Sequence, residues 1–321
     1  MLKSNHQSCC ITRGPYYRSQ ERLMKKHLLV IFPVLILLLS LCCASADAET
    51  IQYGKNTYDL DAVAIDIGDK YISNFEEYYA FLDQFHHLQK VDMFATRIPK
   101  ERVEEMAARY PDIEFGWTIH FAEHSFRTDM TAYSTLHVAK AKKHSDEYIS
   151  LVRYCKNLRA LDFGHNAVTD LSFLYDLPEL RVLIISVNQV EDITPIASLK
   201  HLEYLEMFTN KVHDLSPLSG LTNLLDLNIS WNYIDDLTPI LGLKKLERLW
   251  TCRAINRDTA TNLSKEQIAM LQEAIPGLDI FNGENPTGGT WRQHPRYTIV
   301  KRMFRTGVWE PFPESVPDDQ T

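Results

Sequence analysis

One period governs what this chain can fold into. Between residues 158 and 254 a unit of 22 residues recurs five times, opened by Leu158, Leu180, Leu202, Leu224 and Leu246. Asn166, Asn188, Asn210 and Asn232 keep the same register, and so do Asp170, Asp192, Asp214 and Asp236. Within a unit, residues such as Leu202, Leu205 and Met207 alternate with their neighbours over a short strand and so face one side. No unit can bury that side alone. Stacking units in parallel buries a continuous leucine ladder and builds a solenoid. The asparagines sit where the chain leaves each strand, and their amides can satisfy backbone groups in the buried turn. Thr194-Pro195, Ser216-Pro217 and Thr238-Pro239 read as a hydroxyl cap followed by Pro at the first position of a short helical turn.

Written out, the unit is Leu-X-X-Leu-X-Leu-X-X-Asn, then Asp-(Ile/Leu)-(Ser/Thr)-Pro-(Ile/Leu) and a closing Leu. This pattern resembles the leucine-rich repeat, in the 22-residue class of bacterial internalin-like surface proteins. The resemblance implies an α/β repeat solenoid, a horseshoe with a parallel β-sheet on its concave face. It also names a role, which is binding.

Longer repeats are expected on either side of the compact ones. Val103, Met106, Ala107 and Tyr110 make a helical stripe over 99–110, stopped by Pro111. The run from Ile98 to Ile113 has a counterpart from Leu263 to Leu278, with Ser264 and Gln267 placed as a capping box. Residues 58–66 and 88–93 read as the first strands of the solenoid, and 126–136 as one more. This divides the chain into 1–46, an N-terminal cap with irregular repeats over 47–150, regular repeats over 151–256, a helix-strand repeat and cap over 257–310, and a tail over 311–321. Trp291 and Tyr297 are expected to cover the open end of the leucine ladder, with Ile299–Phe304 packed beside them. The tail from Pro311 is expected to be disordered.

Residues 28–46 are apolar, follow Lys25-Lys26 and end in Ala44-Ser45-Ala46, the arrangement of a secretory signal. A secreted or cell-surface protein is expected, with an uncleaved anchor in the cytoplasmic membrane as the alternative. The chain carries a formal charge of −8, and residues 1–46 hold six of its Lys and Arg against one acid. The remainder of the chain is therefore strongly acidic, which argues against nucleic acid or an anionic membrane surface as the main partner. Past the signal only Cys155 and Cys252 remain. They lie about four repeats apart, roughly 20 Å at the spacing of strands, so two free thiols are expected.

The residues between the inward leucines form the concave face, where such solenoids bind. Tyr204, Glu206, Phe208, Asp226, Asn228, Trp231, Arg248 and Trp250 gather there. Aromatic rings interleaved with a few charges are the composition of a protein-binding hot spot. A protein ligand is expected, with a glycan as the alternative, and no cofactor or metal. Replacing Tyr204 or Trp250 by Ala is expected to weaken binding by ~2 kcal/mol or more with little effect on folding.

Other features support two rival readings. His120-Phe-Ala-Glu123-His124 spells the inverted zinc-peptidase motif, which needs both histidines on one helical face and a third ligand. Here it comes after a strand-like stretch, and exposed histidines in an irregular loop are the simpler reading. The other rival is a structural envelope protein with no specific ligand.

Overall fold

The computed structural model describes residues 48–68, 71–121, 124–136, 143–252 and 263–313. Residues 48–62 and 80–87 form one compact unit, and residues 63–79 and 88–313 another. In the first, Thr50–Tyr53 (β1) pairs antiparallel with Asn56–Asp59 (β2) around Gly54, whose φ of 62° suits a residue without Cβ. Tyr53 stacks on Phe81 at 4.4 Å, and Phe81 meets Phe85 edge-on at 5.2 Å. The strand read over 58–66 is therefore two strands: the chain turns at 60–63 before Ala64–Asp66 (β3).

The second unit contains two sheets. One has the order β3-β4-β5-β6, with Lys90–Arg97 (β4), Glu114–Phe121 (β5) and His124–Arg127 (β6). Helix Phe75–Leu82 (α1) precedes β4, and Lys100–Arg109 (α2) links β4 to β5 as a parallel crossover. Val103 and Met106 are the buried side of α2, as their spacing predicts. The last strand, β6, runs antiparallel to β5. The stretch 126–136 is thus not one strand: it ends β6 and then opens the second sheet.

That second sheet is built from the repeats. Ala132–Ser134 (β7), Ala160–Asp162 (β8), Val182–Ile184 (β9), Tyr204–Glu206 (β10), Asp226–Asn228 (β11), Arg248–Trp250 (β12) and Asp279–Phe281 (β13) pair in chain order, every pair parallel. The pairing steps by one repeat, so Leu161, Leu183, Leu205, Leu227 and Leu249 are partners in a row and are fully buried. Asp146–Ile149 (α3) precedes the first short turn, and Lys265–Ala274 (α4) links β12 to β13. The capping box expected on α4 is present, with Gln267 N–H donating to Ser264 Oγ at 3.2 Å and Ser264 N–H to Gln267 Oε1 at 3.0 Å. Cys155 and Cys252 are free, buried thiols.

The asparagines do what the pattern suggests, and they also couple repeats. Asn210 Nδ2 donates to Met207 O at 3.1 Å and to Ile185 O of the preceding repeat at 3.0 Å. Its Oδ1 accepts from Val190 N–H at 3.1 Å. Asn188 and Asn232 repeat these bonds one step either side. The helical turns are capped differently from the expectation. The Ser and Thr hydroxyls do not cap them; Asp192, Asp214 and Asp236 each accept the N–H two residues on, at 2.8 Å. Asp is the better group for this, since its side chain reaches forward two residues and forms a turn of its own. Bonds from the Thr194 hydroxyl and N–H hold Asp192 below its ordinary pKa.

A further column was not legible. His165, Val187, Thr209 and Trp231 all have φ between 54° and 60°. β-branched residues avoid that region. Each of these N–H groups donates to a carbonyl of the next repeat, as Val187 does to Phe208 O at 2.9 Å. The ladder thus holds the strained column in place.

Candidate functional site

The side of the repeat sheet opposite the leucine ladder carries Tyr204, Trp250 and the other residues of the expected binding face, and the chain itself covers it. After β13 a loop returns over the sheet and leads into helix Pro295–Thr306 (α5), which ends at Gly307 with φ 72°. Trp291, Val300, Met303 and Phe304 pack with Ala132, Ala160, Val182, Ile184, Tyr204 and Trp250 in one apolar cluster. The segment is pinned at several places. Asn228 Nδ2 donates to Pro286 O at 2.7 Å, and Trp250 Nε1 donates to Gly288 O at 3.1 Å. Ala132 N–H donates to Gly307 O at 3.2 Å. Beyond the helix, Arg159 and Arg181 lie over the Trp309 ring at 5.2 and 5.5 Å, and Phe312 reaches Tyr204 at 6.3 Å.

Charge complementarity fixes the register of the segment on the sheet. Arg296 grips Asp226 with two bonds, Nε to Oδ2 at 2.6 Å and Nη2 to Oδ1 at 2.9 Å. Arg248 donates to the same carboxylate from the next strand. All three side chains are buried. One repeat away, Arg292 places two N–H groups on Glu206 at 3.1 and 3.3 Å, and the Tyr204 hydroxyl bonds to that carboxylate as well. Arg292 and Arg296 are four apart, and Glu206 and Asp226 stand on adjacent strands. His294 caps α5 by accepting Arg296 N–H at Nδ1, 3.3 Å away. Burial first, then Arg248 and Arg296, push His294 down to about 4, so at neutral pH it keeps the lone pair that this cap requires.

The expectation of an open binding face is therefore corrected. Tyr204, Glu206, Asp226, Asn228, Arg248 and Trp250 are buried to 4% exposure or less, Phe208 to 6%, and Trp231 is half-buried. They do converge on one side of the sheet, but Tyr204, Glu206, Asp226, Arg248 and Trp250 meet Trp291, Arg292 and Arg296 of the same chain, and Asn228 meets Pro286. Trp291 lies 5.1 Å from Trp250 and 5.4 Å from Tyr204, so it covers the face of the sheet rather than the open end of the ladder. Phe312, expected in a disordered tail, packs here too. The signal that could have shown this is in the sequence: an Arg pair at helical spacing followed by the apolar face Val300, Met303 and Phe304.

Asp162 lies under the same cover. Its carboxylate accepts Ser134 Oγ–H at 2.9 Å and Gly164 N–H at 3.0 Å. Burial outweighs both bonds and pushes its pKa from 3.8 up to about 6. The folded protein then holds this proton more tightly than the unfolded chain. Its contribution is most favourable below about pH 4 and is lost as pH rises through about 6, a span worth about 3 kcal/mol. Asp162→Asn keeps an acceptor for Gly164 and removes the charge. It is expected to raise stability at pH 7 and to flatten this slope, measured by urea unfolding at several pH values. A variant with the parent's slope would show that Asp162 is not the group responsible.

The repeats decide what kind of chain this is. The profile of the family described as leucine-rich repeats, two copies, matches residues 156–198 and 178–220. The seven parallel strands show the corresponding architecture. The chain carries leucine-rich repeats and folds as a leucine-rich-repeat solenoid over them. Among solved structures, this leucine-rich-repeat chain is similar to internalin C2 of Listeria monocytogenes, with 26% identity over 50% of this chain and 78% of that one and a TM-score of 0.35. It is also similar to an internalin F of the same organism, with 20% identity over 57% and 55% and a TM-score of 0.36. A leucine-rich-repeat protein of Leptospira interrogans matches with 21% identity over 62% and 50% and a TM-score of 0.41. The chain thus spans about half the length of the last two. No curated protein matches it.

The two histidines of the zinc motif are not placed as its chemistry needs, and its Glu123 lies outside the described residues. His120 and His124 belong to β5 and β6, two antiparallel strands in which Phe121 pairs with His124, so they do not share a helical face. Among the described residues no group of three or more His, Cys, Asp or Glu is placed to hold a metal ion. Among the same residues no helix is long and apolar enough to cross a membrane. The signal or anchor segment 28–46 lies outside the described residues.

Proposed function

We propose that this leucine-rich-repeat protein is a non-enzymatic binding module that works outside the cytoplasm and holds a protein ligand on its concave side. The observation that carries this reading is the charge of the surface on that side. Lys301, Arg302 and Arg305 are exposed on α5, and the helix contains no acid. Arg302 is paired with Glu310 at 2.6 Å, leaving Lys301 and Arg305 as the outward charges. They stand on a chain that is otherwise acidic. A basic stripe on an acidic scaffold selects a partner with an acidic surface and speeds its encounter. In this reading Tyr204, Glu206, Phe208, Asp226, Asn228, Trp231, Arg248 and Trp250 form the seat that fixes the presented helix. The extracytoplasmic assignment rests on the signal-like run after Lys25-Lys26.

The test is capture of partners from extracts of neighbouring or host cells by the purified protein and by Lys301→Glu/Arg305→Glu. A partner held by the parent, released by salt and lost from the variant at unchanged thermal stability supports the proposal. Equal recovery by both, or no partner at all, refutes it.

A further inference from the structure

The face of the sheet under α5 is not filled evenly. Two residues past the repeat strands β8 to β12, one column reads Gly164, Ser186, Phe208, Ser230 and Cys252. Where it is smallest, at Gly164 and Ser186, a cavity of about 160 Å³ remains between the ends of β8 and β9 and the helix. Phe208, one repeat on, lines its far side. A Cβ at Gly164 would stand 3.2 Å from Ser186 O, so glycine keeps this part clear. The volume is below the roughly 300–1,000 Å³ of small-molecule sites, and it suits a single residue.

Two kinds of wall meet here. Ile184, Phe208, Val300 and Phe304 are at most 8% exposed and make the inner part apolar, while Leu136, 49% exposed, belongs to the open end. The polar side chains that solvent reaches are Lys301, Arg292, His165 and Tyr297. The Arg292 side chain keeps 33% exposure although it grips Glu206, and Glu206 offsets its charge. Lys301 is exposed and lies 5.9 Å over the Tyr297 ring. Burial first, then Arg292 and Lys143, hold His165 below its ordinary pKa, so its ring is neutral at pH 7 and stands in a positive field. Asp162 is the one acid among the lining residues and belongs to the inner end.

An occupant that suits both walls has an apolar group inside and an anion at the mouth. An acidic side chain fails this test, because it would carry its carboxylate past the cations toward Asp162. A chain terminus passes it: the side chain points inward and the α-carboxylate stays outside with the backbone. We propose that this cavity takes the C-terminal residue of the protein ligand, with an apolar side chain inside and the free carboxylate against Lys301 and Arg292. It rests on the concave-side ligand proposed above and names the part of that ligand that is held.

The cavity also sets a pH dependence. Asp162 is faced by Ser134 from β7, Glu206 from β10, Arg292 before α5, and Tyr297 and Lys301 on α5. An occupant buries Asp162 further and brings a carboxylate near it. Both favour the protonated acid, so binding tightens as pH falls through about 6.

Saturation-transfer NMR on the purified protein tests this, with acetyl-Gly-Val and acetyl-Gly-Leu as free acids and as C-terminal amides. Transfer to the methyl protons of the acids is expected, with the amides weaker by about tenfold. Lys301→Met is expected to bring the acids to the level of the amides at unchanged thermal stability. Between pH 7.5 and 5.5 the acids are expected to tighten by roughly tenfold, and Asp162→Asn to bind them as tightly at both. No transfer from either acid would overturn the proposal, and so would amides that bind as well as acids, or Lys301→Met binding like the parent. These probes need no captured protein. If they fail while Lys301→Glu/Arg305→Glu still loses a partner, the ligand stands and its terminus does not lie here.

Discussion

Asp226→Ala is expected to destabilise the protein by about 3–5 kcal/mol, although Asp226 belongs to no leucine ladder and stands on the face read as a binding surface. The carboxylate is fully buried and is shared by two guanidiniums, Arg248 from β12 and Arg296 from α5. Removing it leaves two buried cations facing each other, Arg296 with only the half-exposed Glu247 at 2.7 Å and Arg248 with no carboxylate among the described residues. Among the described residues the terminal N–H groups of Arg248 have no acceptor, and the ring it faces, Trp291 at 4.6 Å, carries no full charge to replace the carboxylate. Removing Arg296 alone is a milder change, because Arg248 still neutralises Asp226. Replacing all three by apolar residues of matching volume is expected to be close to neutral, since the desolvation of three charges offsets much of their attraction. Urea unfolding of the single variants and the triple variant measures this order. An Asp226→Ala effect below about 1 kcal/mol would mean that the carboxylate is solvated and α5 is not seated on it.

The leucine ladder, the parallel sheet and the asparagine turns were legible because each is written in a local pattern. Leu205 and Asn210 need only their own repeat and its neighbours to declare their places. The capping box at Ser264 is equally local. What the pattern cannot carry is the state of the opposite face. Alternation assigns Tyr204, Glu206 and Trp250 to one side of the sheet, but it does not say whether solvent or another segment lies over that side. Their covering segment begins some 40 residues beyond Trp250, and its fit depends on the spacing of Arg292 and Arg296 against two separate strands. The left-handed column at Val187 and Thr209 was hidden for another reason. Local propensity argues against it, and only bonds to the next repeat outweigh that preference. The hairpin β5–β6 passed unread because only the strand-like stretch before the histidines was read as a strand, and the histidines themselves were assigned to a loop.

Trp250→Ala distinguishes a binding hot spot from a core residue, and the structure assigns it to the core. The expected cost is about 3–5 kcal/mol of stability, because a large ring is removed from a filled space. Trp250 is 1% exposed, stacks on Phe281 at 5.3 Å and touches Trp291 at 5.1 Å. Its indole N–H also ties down the loop that carries the segment across the sheet, through Gly288 O at 3.1 Å. The loss should therefore reach α5 as well as the sheet. Cutting the Trp250 contact loosens Trp291, and Arg292 follows it directly in the chain with Arg296 four residues further on. Trp250→Phe keeps most of the ring and loses only the N–H, so it is expected to cost far less, on the order of 1 kcal/mol for the bond. Guanidinium unfolding of the pair, followed through the remaining tryptophans, gives both values. If Trp250→Ala instead unfolded at the parent's midpoint and lost a protein ligand, the ring would be reached by that ligand. The covering segment would then have to leave the sheet on binding, and the surface to examine would be the one beneath α5 rather than Lys301 and Arg305 on top of it.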